Sequence, residues 1–362
     1  MGLEAFIAFV IAFVATALFT PAVRRFAWRQ QVLDYPDSAR KFHKYPLPEL
    51  GGFAVFSGFA FTLLLLRGVF PDLFGAFIKT SYIFGLLAAG VVLMIGGYLD
   101  DRYRISPAKQ FAFPVLAILI VIFSGVQLSY INSPFGGAII LDSLKIWGYP
   151  LFGGLFIFLW ILGMVYTTKF LDGLDGLVAG ISGIAGLVIY FLSLLPQVQQ
   201  PDTALLAIIF AGSALGFLPW NFYPAKIFLG ESGSTFTGFM IGLLSIVSGG
   251  KIATALLIMG IPILDAAWVI IRRLAGHTSP FLGDRRHLHF RLLDWGLSHR
   301  QAVILLYFFS AAFGVSGLFL QTTGKLVAFG ILAVVMVILG TTIVLGFRRK
   351  QEAEKHLGTK LF

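Results

Sequence analysis

The chain is built from a succession of apolar stretches that are each long enough to cross a lipid bilayer. A transmembrane helix needs ~20 consecutive apolar residues, and the sequence supplies about 11 such stretches, separated by short polar segments. The mean hydropathy of +0.89 and the charged fraction of 12% exclude a water-soluble domain of this length. We therefore predict an all-α integral membrane protein, a polytopic bundle of about 11 transmembrane helices. The predicted spans cover residues 5–26, 50–70, 80–99, 111–127, 150–168, 177–195, 203–219, 234–249, 252–271, 302–321 and 326–346.

The positive charges divide unevenly between the two ends of the predicted spans. If the chain starts outside and the spans alternate strictly, 22 of the 27 Lys and Arg residues and all six His residues fall on one side. Lys and Arg accumulate in the cytoplasmic loops of membrane proteins, so that side is predicted to be cytoplasmic. The same rule explains the net charge of +10 without a nucleic-acid partner. The N-terminus is then outside, and the C-terminus is inside.

The remaining segments indicate one domain with two small additions. Residues 1–346 are predicted to form a single polytopic domain with its site on the cytoplasmic loops, and residues 347–362 a charged cytoplasmic tail. Residues 128–149 alternate in polarity around a Pro-Phe-Gly-Gly turn, which predicts a small outer β-hairpin. The chain has no cysteine, which excludes disulfides, thiol nucleophiles and thiolate metal sites.

Five carboxylates lie at the ends of predicted spans, all on the predicted cytoplasmic side. An acid at the edge of the hydrocarbon is costly, so such residues mark a functional site by default. The adjacent pair at the end of the third span also opposes the helix macrodipole, which makes a purely structural role a poor explanation. A cluster of this kind predicts a site that holds a divalent cation and a phosphate, or one that moves protons. The five residues are Asp100, Asp101, Asp172, Asp175 and Glu231.

Basic and flexible segments on the same side are typical of phosphate contacts. A group of cations crowds ahead of a Pro-x-Pro and a Gly-Gly pair, where the backbone is kinked. That group is Arg40, Lys41, His43 and Lys44. Ser-Gly-Ser ahead of the eighth span resembles an anion-binding helix N-terminus. His287 and His289 lie among arginines, which suits a polyphosphate better than a helical zinc pair. Asp265 lies inside a predicted span and is interpreted either as a partner of a site residue or as half of a buried pair, and His299 as a surface residue.

Five motifs, in order, resemble those of the polyprenyl-phosphate N-acetylhexosamine-1-phosphate transferases. The resemblance is to the undecaprenyl-phosphate GlcNAc-1-phosphate transferases in particular, and phospho-MurNAc-pentapeptide translocase is a more distant relative. It extends over roughly residues 1–346. The motifs are RK-x-H-x-x-P-x-P-x-x-GG from Arg40, the pair Asp100-Asp101, DGLDGL-x-AG from Asp172, NF-x-PAK-x-F-x-G-x-x-GS from Asn221, and the H-x-H of residues 287–289.

The resemblance implies a reaction on the inner leaflet of a bacterial cytoplasmic membrane. A sugar-1-phosphate, expected to be N-acetylhexosamine-1-phosphate, passes from a UDP-sugar to polyprenyl phosphate, UMP is released, and a lipid-linked cell-envelope glycan is initiated. The implied cofactor is Mg²⁺, with Mn²⁺ as an alternative. The implied partners are the UDP-sugar, polyprenyl phosphate and the bilayer, with a homodimer left open. Physical chemistry agrees, because bringing two phosphates together takes a divalent cation and basic side chains.

The resemblance also assigns roles to individual residues. The candidates for catalysis are the acids that activate the lipid phosphate or hold metal and one histidine of the diphosphate loop: Asp100, Asp101, Asp172 and His287. The implied metal ligands are Asp172, Asp175 and Glu231. The implied nucleotide and diphosphate ligands are Asn221, Phe228, Lys169, Arg286 and His289, with Phe228 as the ring that stacks on the base. The implied lipid-phosphate ligands are Arg40, Lys41, His43 and Lys109.

The chain also departs from the family pattern. At four positions the usual Asn, Asp, His and Arg are replaced, in that order, by Lys169, Glu231, Phe290 and Glu49. Lys169 lies about one helical turn before Asp172, so we expect these two side chains to form an ion pair. Another interpretation is that Lys169 and Glu231 compensate each other, with the longer Glu reaching a shifted metal.

Two other classes of function are alternatives. The first is a catalytically degenerate homologue that binds lipid phosphate or nucleotide without turnover. The second is a cation- or proton-coupled carrier, which is disfavoured because the acids lie at one face and not at the midplane between repeats.

Overall fold

The computed structural model describes residues 2–36, 43–75, 78–133, 136–146, 148–248, 251–276 and 287–358. The described chain is a bundle of helices. Its helices are α1 Gly2–Arg29, α2 Gly51–Val69, α3 Thr80–Tyr103, α4 Pro107–Phe123, α5 Leu151–Leu171, α6 Leu177–Leu194, α7 Pro201–Asn221, α8 Gly230–Val247, α9 Ile252–Ile258, α10 Gly260–Ala275, α11 Leu288–Asp294, α12 His299–Phe319 and α13 Thr322–Gly358, with a 3₁₀ turn at Pro71–Leu73.

The helical membrane architecture predicted from the sequence is confirmed. Each predicted span coincides with a helix or, in one case, with a pair of helices. Among the described residues, eight helices are long and apolar enough to cross a membrane, or nine if a bent pair counts as one span. The other two predicted spans correspond to α4, which is apolar but only 17 residues long, and to α8, whose first turns are polar. Helix α13 continues into the charged tail as far as Gly358.

The predicted span 252–271 is not one straight helix. Helices α9 and α10 meet at Met259 at an angle of 78°. The physical cause is Pro262, which has no amide hydrogen and whose ring clashes with the carbonyl four residues earlier, that of Ile258. Ser310 of α12 donates its hydroxyl to that freed carbonyl at 2.8 Å, so the break leaves it satisfied. The sequence contained this proline, but a hydropathy window does not register it.

Short antiparallel strand pairs account for the non-helical segments. In the predicted hairpin region, β3 (Tyr130–Asn132) pairs with β4 (Ala138–Ile140), which confirms the hairpin. A second pair follows at once, β5 (Lys145–Ile146) with β6 (Tyr149–Pro150). A further pair at the opposite end, between α1 and α2, was not predicted. It joins β1 (Leu33–Asp34) to β2 (Leu47–Pro48).

The core of the bundle is centred on α7 and α8, which are buried along most of their length. Two glycines let α2 and α3 approach the start of α8 closely. A Cβ atom on Gly97 of α3 would lie 2.3 Å from the Cα of Ser232, and one on Gly52 of α2 would lie 2.2 Å from the backbone nitrogen of Gly233. Small residues have this role in membranes because lipid gives apolar helices little reason to associate, so close packing must stabilise the contact. The end of α3 is therefore fixed against the first turn of α8.

Replacing Gly97 with Ala is expected to force α3 away from α8. Alanine has a higher helix propensity than glycine, so any loss of stability in this variant has to come from the clash with α8. We expect that clash to cost about 1–3 kcal/mol. The matched control is Gly163→Ala in α5, where an added Cβ meets nothing within 4 Å. Thermal unfolding in detergent, followed by the fluorescence of the six tryptophans, measures both variants. Equal midpoints for the two would contradict the close crossing.

Candidate active site

A cavity of about 620 Å³ opens where the ends of several helices converge at one end of the bundle. Its wall comes from the ends of α3, α5, α7 and α8, from the loop before α2 and from the start of α12. It brings together nine of the residues that the sequence singled out: His43, Asp100, Asp101, Lys169, Asp172, Asp175, Asn221, Phe228 and Glu231. All five predicted carboxylates are in this set. Arg40, Lys41 and Arg286 lie outside the described residues, and Lys109 is exposed near the start of α4.

The two acids at the end of α3 have different partners. Asp101 accepts a hydrogen bond from the backbone amide of Glu231 at 3.1 Å, at the first turn of α8. A carboxylate in that position satisfies an otherwise unpaired amide and faces the positive end of the α8 dipole. Asp100 accepts a hydrogen bond from the Gln110 side chain at 2.7 Å. The acidic pair thus opposes the dipole of its own helix but is stabilised by the neighbouring one.

The Asp172–Gly176 turn follows α5 and carries the next two acids. Asp175 accepts a hydrogen bond from the backbone amide of Ala225 at 2.9 Å. Asn221 joins the turn to the following loop, because its Oδ1 accepts from the Gly176 amide at 3.1 Å and its Nδ2 donates to the Ile227 carbonyl at 3.0 Å. Gly176 has a φ of 81°, which a residue with a side chain rarely adopts. The structure therefore gives Asn221 a structural task in addition to the nucleotide contact that the resemblance implies.

Negative charge accumulates in this turn. The side chain of Asp172 is exposed to the cavity, while the surrounding protein limits its hydration. This desolvation, together with the negative charges of Glu231 and Glu49, raises the pKa of Asp172 to about 8. Desolvation also raises the pKa of Asp175, and the hydrogen bond from Ala225 opposes that rise. Carboxylates in this state favour a nearby cation, which would restore their ionised form.

A basic side chain of the protein, Lys169, lies among these acids. The ammonium of Lys169 lies 2.5 Å from Oε1 of Glu231 and 3.3 Å from Oε1 of Gln110. The expected ion pair between Lys169 and Asp172 is therefore wrong. Asp172 is the residue at which α5 ends, with φ −76° and ψ 59°, so the helical spacing no longer applies to it. Helices α5 and α8 instead pack directly, with Thr168 donating to the Ser234 carbonyl at 2.8 Å, and this contact places Glu231 beside Lys169.

The loop ahead of α2 folds over the cavity through the β1–β2 pair. Its His43 meets the ring of Phe228 edge to face, with the ring centres 5.2 Å apart. The backbone on both sides of Phe228 is fixed, since its amide donates to the Pro48 carbonyl at 2.8 Å and its carbonyl accepts from Gly51 at 2.9 Å. Phe228 is half-buried and lines the cavity. Its ring contributes an aromatic surface to the wall of the cavity.

His287 and His289 are buried beside the cavity. Nδ1 of His287 lies 2.8 Å from Oδ2 of Asp265, and because a carboxylate accepts, the ring donates this hydrogen bond. Asp265 also accepts from the backbone amide of Leu288 at 2.8 Å. Asp265 is therefore half of a largely buried pair with His287, and this pair fixes the orientation of the His287 ring. Burial lowers the pKa of His289 to about 3, so its ring is neutral.

Several residues of the cavity were missed in the sequence. His299 is not a simple surface residue, since its ring stacks on Tyr223 with the centres 4.4 Å apart and both line the cavity. The sequence did contain a signal for the position of His299. Ser298 and Gln301 form a capping box, which starts α12 on the same side of the bundle as the acids and places His299 at that helix start. Arg104 bridges Glu49 at 3.3 Å and Asp34 at 3.6 Å. No local sequence pattern predicts this ion-pair bridge, because Arg104 and its two acidic partners come from separate segments of the chain.

The donor chemistry of the cavity fits a magnesium ion, although no binding cluster is preformed. Carboxylate oxygens are the ligands that this hard cation prefers. Over the part of the chain that the structure describes, no three His, Asp or Glu side chains are grouped so that they could hold a metal ion as they stand. Of the three predicted ligands, Asp172 and Asp175 lie on one turn, and Glu231 is held by Lys169. A cation bound at Oε1 of Glu231 would compete with the ammonium of Lys169 for that oxygen.

Comparison with known proteins gives consistent similarities. Residues 83–249 match the sequence model of Glycosyl transferase family 4. The chain is 30% identical to a probable undecaprenyl-phosphate N-acetylglucosaminyl 1-phosphate transferase of Bacillus subtilis, over 87% of this chain and 85% of that protein. It is 32% identical to the decaprenyl-phosphate N-acetylglucosaminephosphotransferase of Mycolicibacterium smegmatis, over 92% and 86%. It is 31% identical to an undecaprenyl-phosphate alpha-N-acetylglucosaminyl 1-phosphate transferase of Thermotoga maritima, over 85% and 87%. On this identity, which extends over most of its length, the chain belongs to the family of polyprenyl-phosphate N-acetylhexosamine-1-phosphate transferases.

Proposed function

We propose that this protein transfers N-acetylglucosamine-1-phosphate from UDP-N-acetylglucosamine to polyprenyl phosphate, releasing UMP and starting a lipid-linked glycan. The observation that carries the proposal is the cavity at the helix ends, which gathers all five span-end acids in a chain whose relatives bear the names of such transferases. Its volume of about 620 Å³ is typical of a site for a small molecule or cofactor. Its place at the ends of membrane helices suits one substrate from water and one from lipid.

In the reaction, an oxygen of the lipid phosphate forms a bond to the β-phosphorus of the UDP-sugar. The bond from that phosphorus to the bridging oxygen breaks, and its electrons leave with UMP. A phosphate monoester is a competent nucleophile once its second proton is lost, with a pKa near ~6. The protein therefore has to position two anions and neutralise their charge, which is the main requirement of phosphoryl transfer.

The residues of the cavity divide this work. Asp172 and Asp175, with Glu231, are the ligands we propose for Mg²⁺ or Mn²⁺, which when bound supplies the positive charge that two phosphates need. The ring of Phe228 stacks on the base of the nucleotide. His287, oriented by Asp265, donates or accepts a proton at its Nε2 atom beside the diphosphate. Asp101 holds the start of α8 and contacts the incoming lipid phosphate.

The membrane and its sidedness follow from the charge distribution. With 22 of 27 basic residues on the side of the cavity, the positive-inside rule supports a cavity that faces the cytoplasm of a bacterial cell. UDP-sugars are soluble molecules of that compartment, so this orientation supplies the donor where the site opens.

The direct test is an assay of the purified full-length protein. It uses polyprenyl phosphate, Mg²⁺ or Mn²⁺ and a panel of UDP-sugars, and it measures UMP and the lipid product. We expect turnover with UDP-N-acetylglucosamine that depends on both the lipid and the cation. Binding of UDP-sugar or lipid phosphate without UMP release from any sugar would favour the degenerate homologue instead.

Changes at Asp172 and Asp101 should separate chemistry from stability. Asp172→Asn is expected to lower UMP release at least ~100-fold with an unchanged unfolding temperature, by analogy with the loss of one preorganised charged group at an active site. Asp101→Asn should also lower activity; its amide oxygen can still accept the Glu231 amide hydrogen, so it loses only the interaction of the charge with the α8 dipole, about 0.3–1 kcal/mol of stability. The control is Asp142→Asn, in the segment between β4 and β5 at the other end of the bundle. Near-normal turnover in both site variants would place the chemistry elsewhere.

Asp265→Asn tests the orientation of His287. The amide that replaces the carboxylate no longer stabilises the same ring tautomer, and we expect turnover to fall about 10–100-fold with a smaller change in KM for the UDP-sugar. Asp294→Asn, an exposed acid at the end of the same short helix α11, is the control. The pH dependence of kcat should change in Asp265→Asn and stay normal in the control. Identical profiles for the two variants would reduce Asp265 to a structural residue.

Phe228→Ala should weaken nucleotide binding more than it slows turnover at saturation. Loss of a stacked ring is expected to cost about 1–3 kcal/mol, as in base stacking by single-strand binding proteins. Phe228→Tyr retains the ring and serves as the control. Calorimetric titration with UMP measures the affinity directly. If Phe228→Ala and Phe228→Tyr bind UMP equally well, the ring does not contact the base.

A further inference from the structure

Lys169 is held in the middle of the acidic cavity by two polar partners. Besides its contact with Glu231, its ammonium donates to Gln110, and the same Gln110 side chain donates to Asp100. One ammonium is thereby linked to an acid of α8 and, through Gln110, to an acid of α3. Its side chain is only 15% exposed, and that of Glu231 is 17% exposed. This is a largely enclosed, charge-assisted hydrogen bond, which is stronger than the exposed ion pairs of protein surfaces.

We propose that Lys169 is a built-in counter-cation of this site. Its ammonium neutralises Glu231 in the resting protein, and a divalent cation that binds the same carboxylate competes with it and displaces it. The inference rests on the proposed function for the nature of the cation, whereas the ion pair itself is a feature of the structure.

Competition follows from charge and geometry. The ammonium occupies the Oε1 atom of Glu231 at 2.5 Å, so a second cation at that oxygen would lie against a like charge. A divalent cation therefore binds with an apparent affinity that is reduced by the fraction of protein in which Lys169 holds the carboxylate.

The released ammonium has a place to go. A lysine head on a flexible stem of four carbons can move, whereas an arginine in the same position would be held in a planar geometry. Lys169 lines the same cavity as Asp172 and Phe228, where we place the diphosphate and the base. When the cation takes Glu231, the lysine becomes available for a phosphate in that cavity. The divalent cation and the Lys169 ammonium are then both present in the cavity when the two phosphate substrates are bound.

The first experiment measures binding of Mn²⁺ to the purified full-length protein in detergent, by the paramagnetic resonance of the free ion. No lipid or nucleotide is added. We expect Lys169→Met to bind Mn²⁺ about tenfold more tightly than the wild type, as removal of a competing charge of this kind implies. Lys169→Arg, which retains a cation, should stay within about threefold of the wild type.

The matched control is Lys226→Met. It removes the same charge from the segment between α7 and α8, where the Lys226 ammonium lies over the Trp220 ring, 5.3 Å from its centre. Its affinity for Mn²⁺ should change by less than about threefold, because exposed charges are screened. Equal or weaker binding by Lys169→Met, an equal gain by Lys226→Met, or no binding by any of the proteins would overturn the proposal.

A second measurement uses the wild-type protein, so it does not depend on the folding of a variant. Reductive methylation labels free amines, and mass spectrometry reads the extent of labelling at Lys169 and Lys226. Mg²⁺ at saturation should raise labelling of Lys169 at least about threefold, because the amine leaves its carboxylate partner, with no change at Lys226. If labelling of Lys169 does not change while Mg²⁺ is bound, the ammonium is not displaced and the proposal fails.

The two proposals fail in different ways. A protein that binds cations as described but releases no UMP would refute the transferase function and leave the role of Lys169 intact. A protein that releases UMP normally while cations leave Lys169 unaffected would support the transferase function and refute the proposed role of Lys169.

Discussion

The contact between the end of α3 and the beginning of α8 is the constraint on which the site depends. At this crossing Gly97 faces the backbone of Ser232, and one turn later Asp101 accepts the Glu231 amide. Two adjacent carboxylates at a helix C-terminus oppose the dipole of that helix, which would normally make them unfavourable. Here the positive end of α8 lies against Asp101, and the hydrogen bond from the Glu231 amide opposes part of that cost. The close packing of small residues thus makes it possible for the protein to keep an acidic pair at the edge of the membrane.

The same arrangement explains why the site is built from helix ends. Inside the hydrocarbon, every backbone group of a helix is satisfied within the helix, so free amides and carbonyls occur only where helices begin or end. At the cavity those groups are bound by side chains of other elements, as when Asp175 accepts the Ala225 amide and Asn221 bonds to Gly176 and Ile227. Asp101 and Asp175 are therefore each positioned by a backbone amide of a neighbouring segment. An acidic cavity results at the ends of the membrane helices.

Much of this could be predicted from the sequence, because the signals involved are local. Apolar runs define the spans, and strict alternation of the spans shows which span ends lie on the same side of the membrane. Acids at those ends are brought to the same end of the bundle, and all five predicted carboxylates line one cavity there. The missed features depend on packing between segments far apart in the chain. The partner of Lys169 is set by how α5 packs on α8, and the partner of His287 by where α10 lies after its bend. Neither the register of two helices nor the direction of a broken span is contained in a periodicity or a motif.

An acidic site for two anionic substrates has to be stable both empty and full. When it is empty, Asp172 is desolvated and lies near the negative charges of Glu231 and Glu49, and together these raise its pKa. When it is full, the phosphates add further negative charge. A mobile ion neutralises the negative charge of the site only while it is bound. A lysine in the cavity wall is present both in the empty site and in the full one. Lys169 lies between an acid of α8 and a glutamine that bonds to α3. In the role that we propose for it, its positive charge stabilises the empty site and is available to the phosphates in the full one.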